Sequence, residues 1–154
     1  MRVVIQRVHS SSVTADGVPR GRVGQGLLLL LGVGQQDGER DAQLLADKIL
    51  KLRIFPDQAG KMNHSVLETG GSVTVVPNFT LYADYRRGNR PDYQAAAAPE
   101  VAKRLFDYFV QELQKKVPQV LCGVFGADMR ISVECDGPVT IVMDSELLQK
   151  RERV

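Results

Sequence analysis

Side chains suited to acid-base or nucleophilic chemistry are scarce in this chain. Its two histidines, His9 and His64, stand at no metal-ligand spacing from a further His, Cys or Glu cluster, which argues against a zinc site. No Gly-x-Ser-x-Gly elbow occurs and neither histidine sits in a nucleophile motif, so a standard serine or cysteine hydrolase triad is unsupported. What remains is thin. Thr80, beside Phe79 at the end of a predicted strand, is a hydroxyl candidate, although strand threonines more often pack than react. Backbone amides at the same strand end could instead stabilise an oxyanion. Arg86, Arg87 and Arg90 can either bind phosphates or belong to a solvated loop, and composition does not separate the two. Gly137-Pro138 lies between two alternating runs. Pro138 has no ladder donor and Gly137 no side chain, so the pair presents carbonyl oxygens to a ligand or makes an ordinary hairpin corner.

The elements that must position these residues follow from hydrophobic periodicity. Val3 to Val8 reads as a buried strand, and Ser12 to Asp16 runs into an Asp16-Gly17 hairpin turn. Leu27 to Val33 is an unbroken apolar run suited to a central strand. Ala42, Leu45, Ala46, Ile49 and Leu52 share one helical face, with Asp37 as its cap and its end near Arg53-Ile-Phe-Pro56. Ser72 to Val76 is a strand by β-branched content and runs into Pro77-Asn-Phe-Thr-Leu81. Tyr82 to Tyr93 has no period and reads as a long exposed loop. Pro99 opens a second helix that reaches about Val117, with Val101, Leu105, Phe109 and Leu113 as its seam and Pro118 as its stop. Val120 to Val124 gives a further strand. Ile131, Val133 and Cys135, then Val139, Ile141 and Met143, form two short strands hinged at Gly137-Pro138. Gly32-Val-Gly34 misses the dinucleotide fingerprint and reads as turn glycines.

Many strands with two separated helices predict a single α+β domain over 1–154 with largely antiparallel sheets. A hydrophobic fraction of 44% and a charged fraction of 25% are ordinary for a globular chain. The net charge of +2 leaves any nucleic-acid partner to local clusters. Cys122 and Cys135 lack paired spacing, which suggests reduced thiols and a cytosolic location. No run reaches membrane-spanning length.

Blocks along the whole chain, among them Met1-Arg-Val-Val-Ile-Gln-Arg-Val8, Gly60-Lys-Met-Asn63, Phe79-Thr-Leu-Tyr-Ala-Asp84, Gly88-Asn-Arg-Pro91, Gly123-Val-Phe-Gly-Ala-Asp-Met129 and Asp136-Gly-Pro-Val-Thr140, resemble the D-aminoacyl-tRNA deacylase family. The resemblance implies that family's barrel-like core and a cytoplasmic homodimer. It further implies hydrolysis of the ester between tRNA and a D-amino acid, or glycine mischarged on the alanine tRNA, without metal or organic cofactor. It implies that Gly137-Pro138 is cis and enters the partner's active site, where its carbonyls hold the substrate amino group and leave no room for an L side chain. Arg7 matches the arginine that holds this motif. Phe79 and Thr80 match the catalytic strand end whose amides face the scissile carbonyl, and Asn78 stands beside them as a further catalytic candidate. Phe125 and Met129 match residues bordering the pocket, and the terminal ribose 2′-hydroxyl helps to activate water.

Two departures stand out. Pro77-Asn78 replaces the family's Ser-Gln, which removes a backbone donor, and Cys135 replaces an asparagine. Proline at 77 is similar to a related animal deacylase with a trans Gly-Pro that removes L-alanine, whereas Arg7 and Val139-Thr140 keep the D-selective pattern. The alternatives are therefore a deacylase of relaxed chirality and a non-catalytic nucleic-acid-binding module on the same fold. Contact with tRNA is expected through Arg86, Arg87 and Arg90, helped by Lys61 or the charged tail Lys150 to Arg153.

Overall fold

The computed structural model describes residues 1–152, with side chains to Gln149, so the charged tail Lys150 to Arg153 lies outside the described side chains. The chain begins β1 (Arg2–Ala15), β2 (Val18–Val23), β3 (Gly26–Gly32), α1 (Glu39–Leu50), β4 (Phe55–Pro56), β5 (Met62–His64) and α2 (Val66–Thr69). It continues β6 (Ser72–Pro77), a 3-10 turn over Phe79–Tyr82, α3 (Pro99–Gln114), β7 (Val120–Cys122), β8 (Met129–Asp144) and α4 (Ser145–Glu152).

The first strand is longer than its sequence suggests. Val3 and Ile5 are buried, then Val8, then Val13 and Ala15, so the inward phase slips on either side of Val8. That slip makes one strand of 14 residues read as two. Asp16 and Gly17 have φ of 48° and 78°, the paired positive values of a type I′ hairpin turn into β2. β8 holds one edge of β1 along its length, so β2 and β3 share the other edge. All three pairings are antiparallel, whereas β3 to β6 and β6 to β7 are parallel. The resulting order is β2-β1-β3-β6-β7 with β8 off β1. β2 curls back onto β7 so closely that a Cβ at Gly21 would lie 3.1 Å from Leu121. The sheet is thereby a nearly closed barrel around Val8, Val13, Leu28, Val76 and Leu121. Ser11 and Thr74 are buried among the strands and satisfy each other across 2.6 Å.

α1 and α3 cover the other face. Leu45 and Ile49 from α1 meet Leu105, Phe109 and Leu113 from α3 over Ile5, Leu29, Leu31, Val73 and Val75. Each such side chain, fully buried, contributes about 1.5–3 kcal/mol. α1 ends at Leu50, earlier than the apolar spacing suggested, because Lys51 and Leu52 close 3-10 type bonds to Lys48 and Ile49. Its cap is Gly38, whose amide donates to Asp41 at 2.9 Å. Asp37, expected there, instead accepts from the amide of Gly34 at 2.5 Å and from Tyr82 Oη at 3.3 Å. α3 stops at Gln114, three residues short of Val117, where a tighter last turn takes over. The two runs around Gly137-Pro138 are not a hairpin. Both belong to β8 and pair with the same β1 in the same direction. The tip expected at a strand end therefore sits in mid-strand. Among the described residues no helix is long and apolar enough to cross a membrane.

Candidate functional site

β6 and β7 run parallel and stop side by side, and the segments that follow them enclose a cavity of about 450 Å³. Phe125 and Met129, expected to border a pocket, line it together with Phe79, expected at the catalytic strand end, and Pro77, Tyr93 and Ala102 join them. Phe125 is supported from behind by Phe106, with ring centroids 6.4 Å apart. Phe79 meets Tyr93 edge to face at 5.0 Å, which fixes the rim where the loop after Tyr82 returns. Gly123 allows Met129 to close the floor, since a Cβ there would lie 2.8 Å from the Met129 sulfur.

Phe79 and Thr80 sit on the 3-10 turn rather than on the strand end predicted for them. Pro77 ends β6, and the chain turns because Asn78 donates its amide to Leu31 O at 2.8 Å and its carbonyl accepts from Leu81 at 3.3 Å. The first amides of such a turn lie ahead of its internal bonds. Those of Phe79 and Thr80 donate to no protein acceptor among the described residues. The Thr80 hydroxyl donates to the Asn78 side-chain oxygen, so these two expected site residues engage each other. No titratable side chain lines the cavity apart from Tyr93, and no group of metal-ligating side chains occurs among the described residues.

Gly137-Pro138 is not part of that cavity. From Gln6 to Val8 along β1, the paired positions on β8 go from Thr140 to Cys135. β8 thus carries an excess of residues, which loop out as an exposed bulge. The Gly137-Pro138 peptide is cis, and Gly137 has a φ of 150°. A Cβ at Gly137 would lie 2.2 Å from Val139 N, so only glycine fits. Arg7, at the β1 position where the register breaks, holds the base of the bulge. Its Nε donates to the Asp136 carbonyl at 3.2 Å, its Nη2 to Asp136 Oδ1 at 3.2 Å and its Nη1 to Ile54 O at 2.7 Å. His9 Nε2 lies 3.6 Å from the same carboxylate. Asp136 and the Ile54 carbonyl were not foreseen. An acid next to Gly137 was the available clue for the first, and the second had none.

The arginine loop is also more structured than its composition suggested. Asp84 and Asp92 exchange backbone hydrogen bonds at 2.8 and 3.0 Å, closing 85–91 into an excursion from the cavity rim. Arg86 turns back on Asp84, with Nε at 2.9 Å and Nη2 at 2.5 Å, and holds that carboxyl down to about 2. Arg87 and Arg90 have no such partner among the described residues. Lys61 lies apart, exposed on the β4–β5 turn.

A family model described as D-Tyr-tRNA(Tyr) deacylase matches residues 4–144. A D-aminoacyl-tRNA deacylase of Anaeromyxobacter dehalogenans is 53% identical over 148 residues, 96% of this chain and 99% of the relative. One from Syntrophobacter fumaroxidans is 51% identical over 145 residues, 94% of this chain and 97% of the relative. Among solved structures, one described as c-Myc DNA Unwinding Element Binding Protein superposes with a TM-score of 0.88 at 35% identity, covering 94% of this chain and 98% of that one. A probable eukaryotic D-amino acid tRNA deacylase superposes with a TM-score of 0.83 at 16% identity over 93% and 98%, which is a likeness of fold.

Proposed function

Because the chain belongs to the D-Tyr-tRNA(Tyr) deacylase family, we propose that it hydrolyses the ester joining a D-amino acid, or glycine, to the 3′ end of tRNA. The observation that carries this reading is the pair of unpartnered amides, Phe79 and Thr80, on a turn at an apolar cavity that holds no acid-base side chain but Tyr93. Ester hydrolysis needs stabilisation of the tetrahedral oxyanion more than it needs a protein nucleophile, and preformed amide donors supply that. Water adds to the ester carbonyl, the bond to the ribose oxygen breaks, and the proton from water passes to that oxygen as the amino acid leaves. The vicinal 2′-hydroxyl of the ribose assists the water. Asn78 and Thr80 act by fixing the turn, and Phe125 and Met129 by walling the cavity.

Selectivity for the D enantiomer rests in this reading on Gly137-Pro138, seated by Arg7 and inserted into the cavity of a second copy of the chain. Its support is that the bulge is exposed and absent from the cavity of its own chain. Backbone groups placed against the substrate amino group exclude a side chain of the other hand by steric means. Arg87 and Arg90 contact tRNA phosphates, while Arg86 serves Asp84. The assay is release of D-tyrosine or glycine from charged tRNA with L-tyrosyl-tRNA spared. Equal loss of both enantiomers would remove the chirality claim, and a fully active monomer at high dilution would remove the cross-subunit insertion.

A second reading has one observation in its favour, the solved neighbour described as a DNA-unwinding-element-binding protein. On that reading the fold binds nucleic acid without catalysis. The same assay separates the two, since tRNA binding with no deacylation of any ester would favour the second.

A further inference from the structure

We infer that Tyr85 is a stacking platform for an unpaired base at the single-stranded 3′ end of the tRNA, a role that rests on the deacylase reading above. Tyr85 is 76% exposed. Tyr85 follows Asp84 directly, so its ring stands exposed at the base of a braced loop, where an aromatic face is available to a ligand. The bracing is specific. The Asp84–Asp92 bridge closes the loop's base, and Arg86 on the following residue is locked onto Asp84, so Tyr85 stands between two fixed neighbours.

Charge and position decide the occupant. Arg87 and Arg90, on the same loop, leave two cations without protein partners among the described residues, and exposed aromatics interleaved with free arginines suit single-stranded nucleic acid, where every base offers a π-face and every step a phosphate. The loop also springs from the reaction cavity. Its return leg brings Tyr93 onto Phe79, which is itself 57% exposed, so the loop ends on an aromatic pair at the cavity rim. A strand whose terminal ribose ester occupies the cavity must leave past this rim. Inside a duplex every base is already stacked on both faces, so the platform favours the unpaired end.

The test uses the full-length protein and a short oligoribonucleotide ending in cytidine-cytidine-adenosine, with 2-aminopurine in place of the adenine. Tyr85→Phe keeps the ring and should bind as the wild type does, with the same fluorescence quench. Tyr85→Ala should weaken binding about 5- to 150-fold, the range for losing one base–aromatic stack. A blunt RNA duplex of equal length should not distinguish the variants. Equal affinity of wild type and Tyr85→Ala for the single strand overturns the inference, as does a Tyr85→Ala variant whose only change is dissociation of the dimer. Deacylation by the wild type is measured alongside. Activity that persists with a silent Tyr85→Ala rejects the platform alone, whereas absence of activity rejects the reading on which it rests.

Discussion

The cavity and the bulge are held in place by opposite means. The cavity is apolar, drawn from β6, the 3-10 turn, α3 and the segment before β8, and on the turn at its edge the amides of Phe79 and Thr80 donate to no protein acceptor among the described residues. The bulge is exposed backbone held from below by a charged network in which one guanidinium reaches three acceptor groups on two segments. Packing can place a wall to a few tenths of an ångström but cannot hold an exposed loop, which has nothing to pack against. A guanidinium can, because its planar fork fixes direction as well as distance. The two regions should therefore fail differently when altered.

The largest effect is expected at Gly137. Its φ of 150° suits no L residue, and the added methyl would meet Val139 N at 2.2 Å. Gly137→Ala must shift the bulge by about an ångström, and a displacement of that size lowers catalysis about 100-fold. Turnover of D-tyrosyl-tRNA measures it, and an unchanged Tm confirms that the core is intact. Retention of full activity would show that the bulge takes no part.

Arg7 should lose selectivity before it loses turnover. Arg7→Ala frees Asp136 and Ile54 O together, and Arg7→Lys keeps the charge but cannot form the fork. Both variants should lower the ratio of D to L turnover about tenfold, the worth of one charged hydrogen bond. A ratio that holds steady while Tm falls would reduce Arg7 to a structural role.

This division also explains what could be read from the chain beforehand. The helices, the hairpin at Asp16-Gly17 and the strands β3 and β6 carry their periods locally, so patterning finds them. β1 and β8 do not. Each slips phase at the bulge, at Val8 and around Gly137, and a slip in the two-residue period looks like the end of one strand and the start of another. Phe79, Phe125 and Met129 were grouped through resemblance alone, since residues so far apart meet only once the parallel β6–β7 pair is formed. α4 went unseen because Leu147 and Leu148 are too few to mark a helical face. Tyr93 read as loop because its partner, Phe79, lies across the excursion.

Thr80 tests whether the cavity side acts through backbone. Its hydroxyl is engaged with Asn78, so Thr80→Val removes a brace and leaves both amides in place. One neutral hydrogen bond is worth about 1 kcal/mol, so turnover should fall about fivefold with KM little changed. A fall beyond about a thousandfold would mean that the hydroxyl itself reacts.

The smallest effect belongs to the loop that presents Tyr85. Arg86 lowers the Asp84 carboxyl from 3.8 to about 2, first through its side-chain hydrogen bonds and then through its amide. A folded value below the unfolded one means that the pair supports the loop above the unfolded value and ceases to do so as pH falls through the folded one. Loop geometry should therefore be constant from neutrality to about pH 4 and be lost only between there and about pH 2. The Arg86 Nε proton resonance should report this with a midpoint near 2, and Asp84→Asn should flatten the titration. A midpoint near 4 would mean that the pair does not form in solution. Arg86 would then be free for phosphate, and Arg86→Ala would flatten the salt dependence of tRNA binding as much as Arg87→Ala, by about 0.7–0.9 in log-log slope. With the pair intact, Arg87→Ala should do so and Arg86→Ala should not.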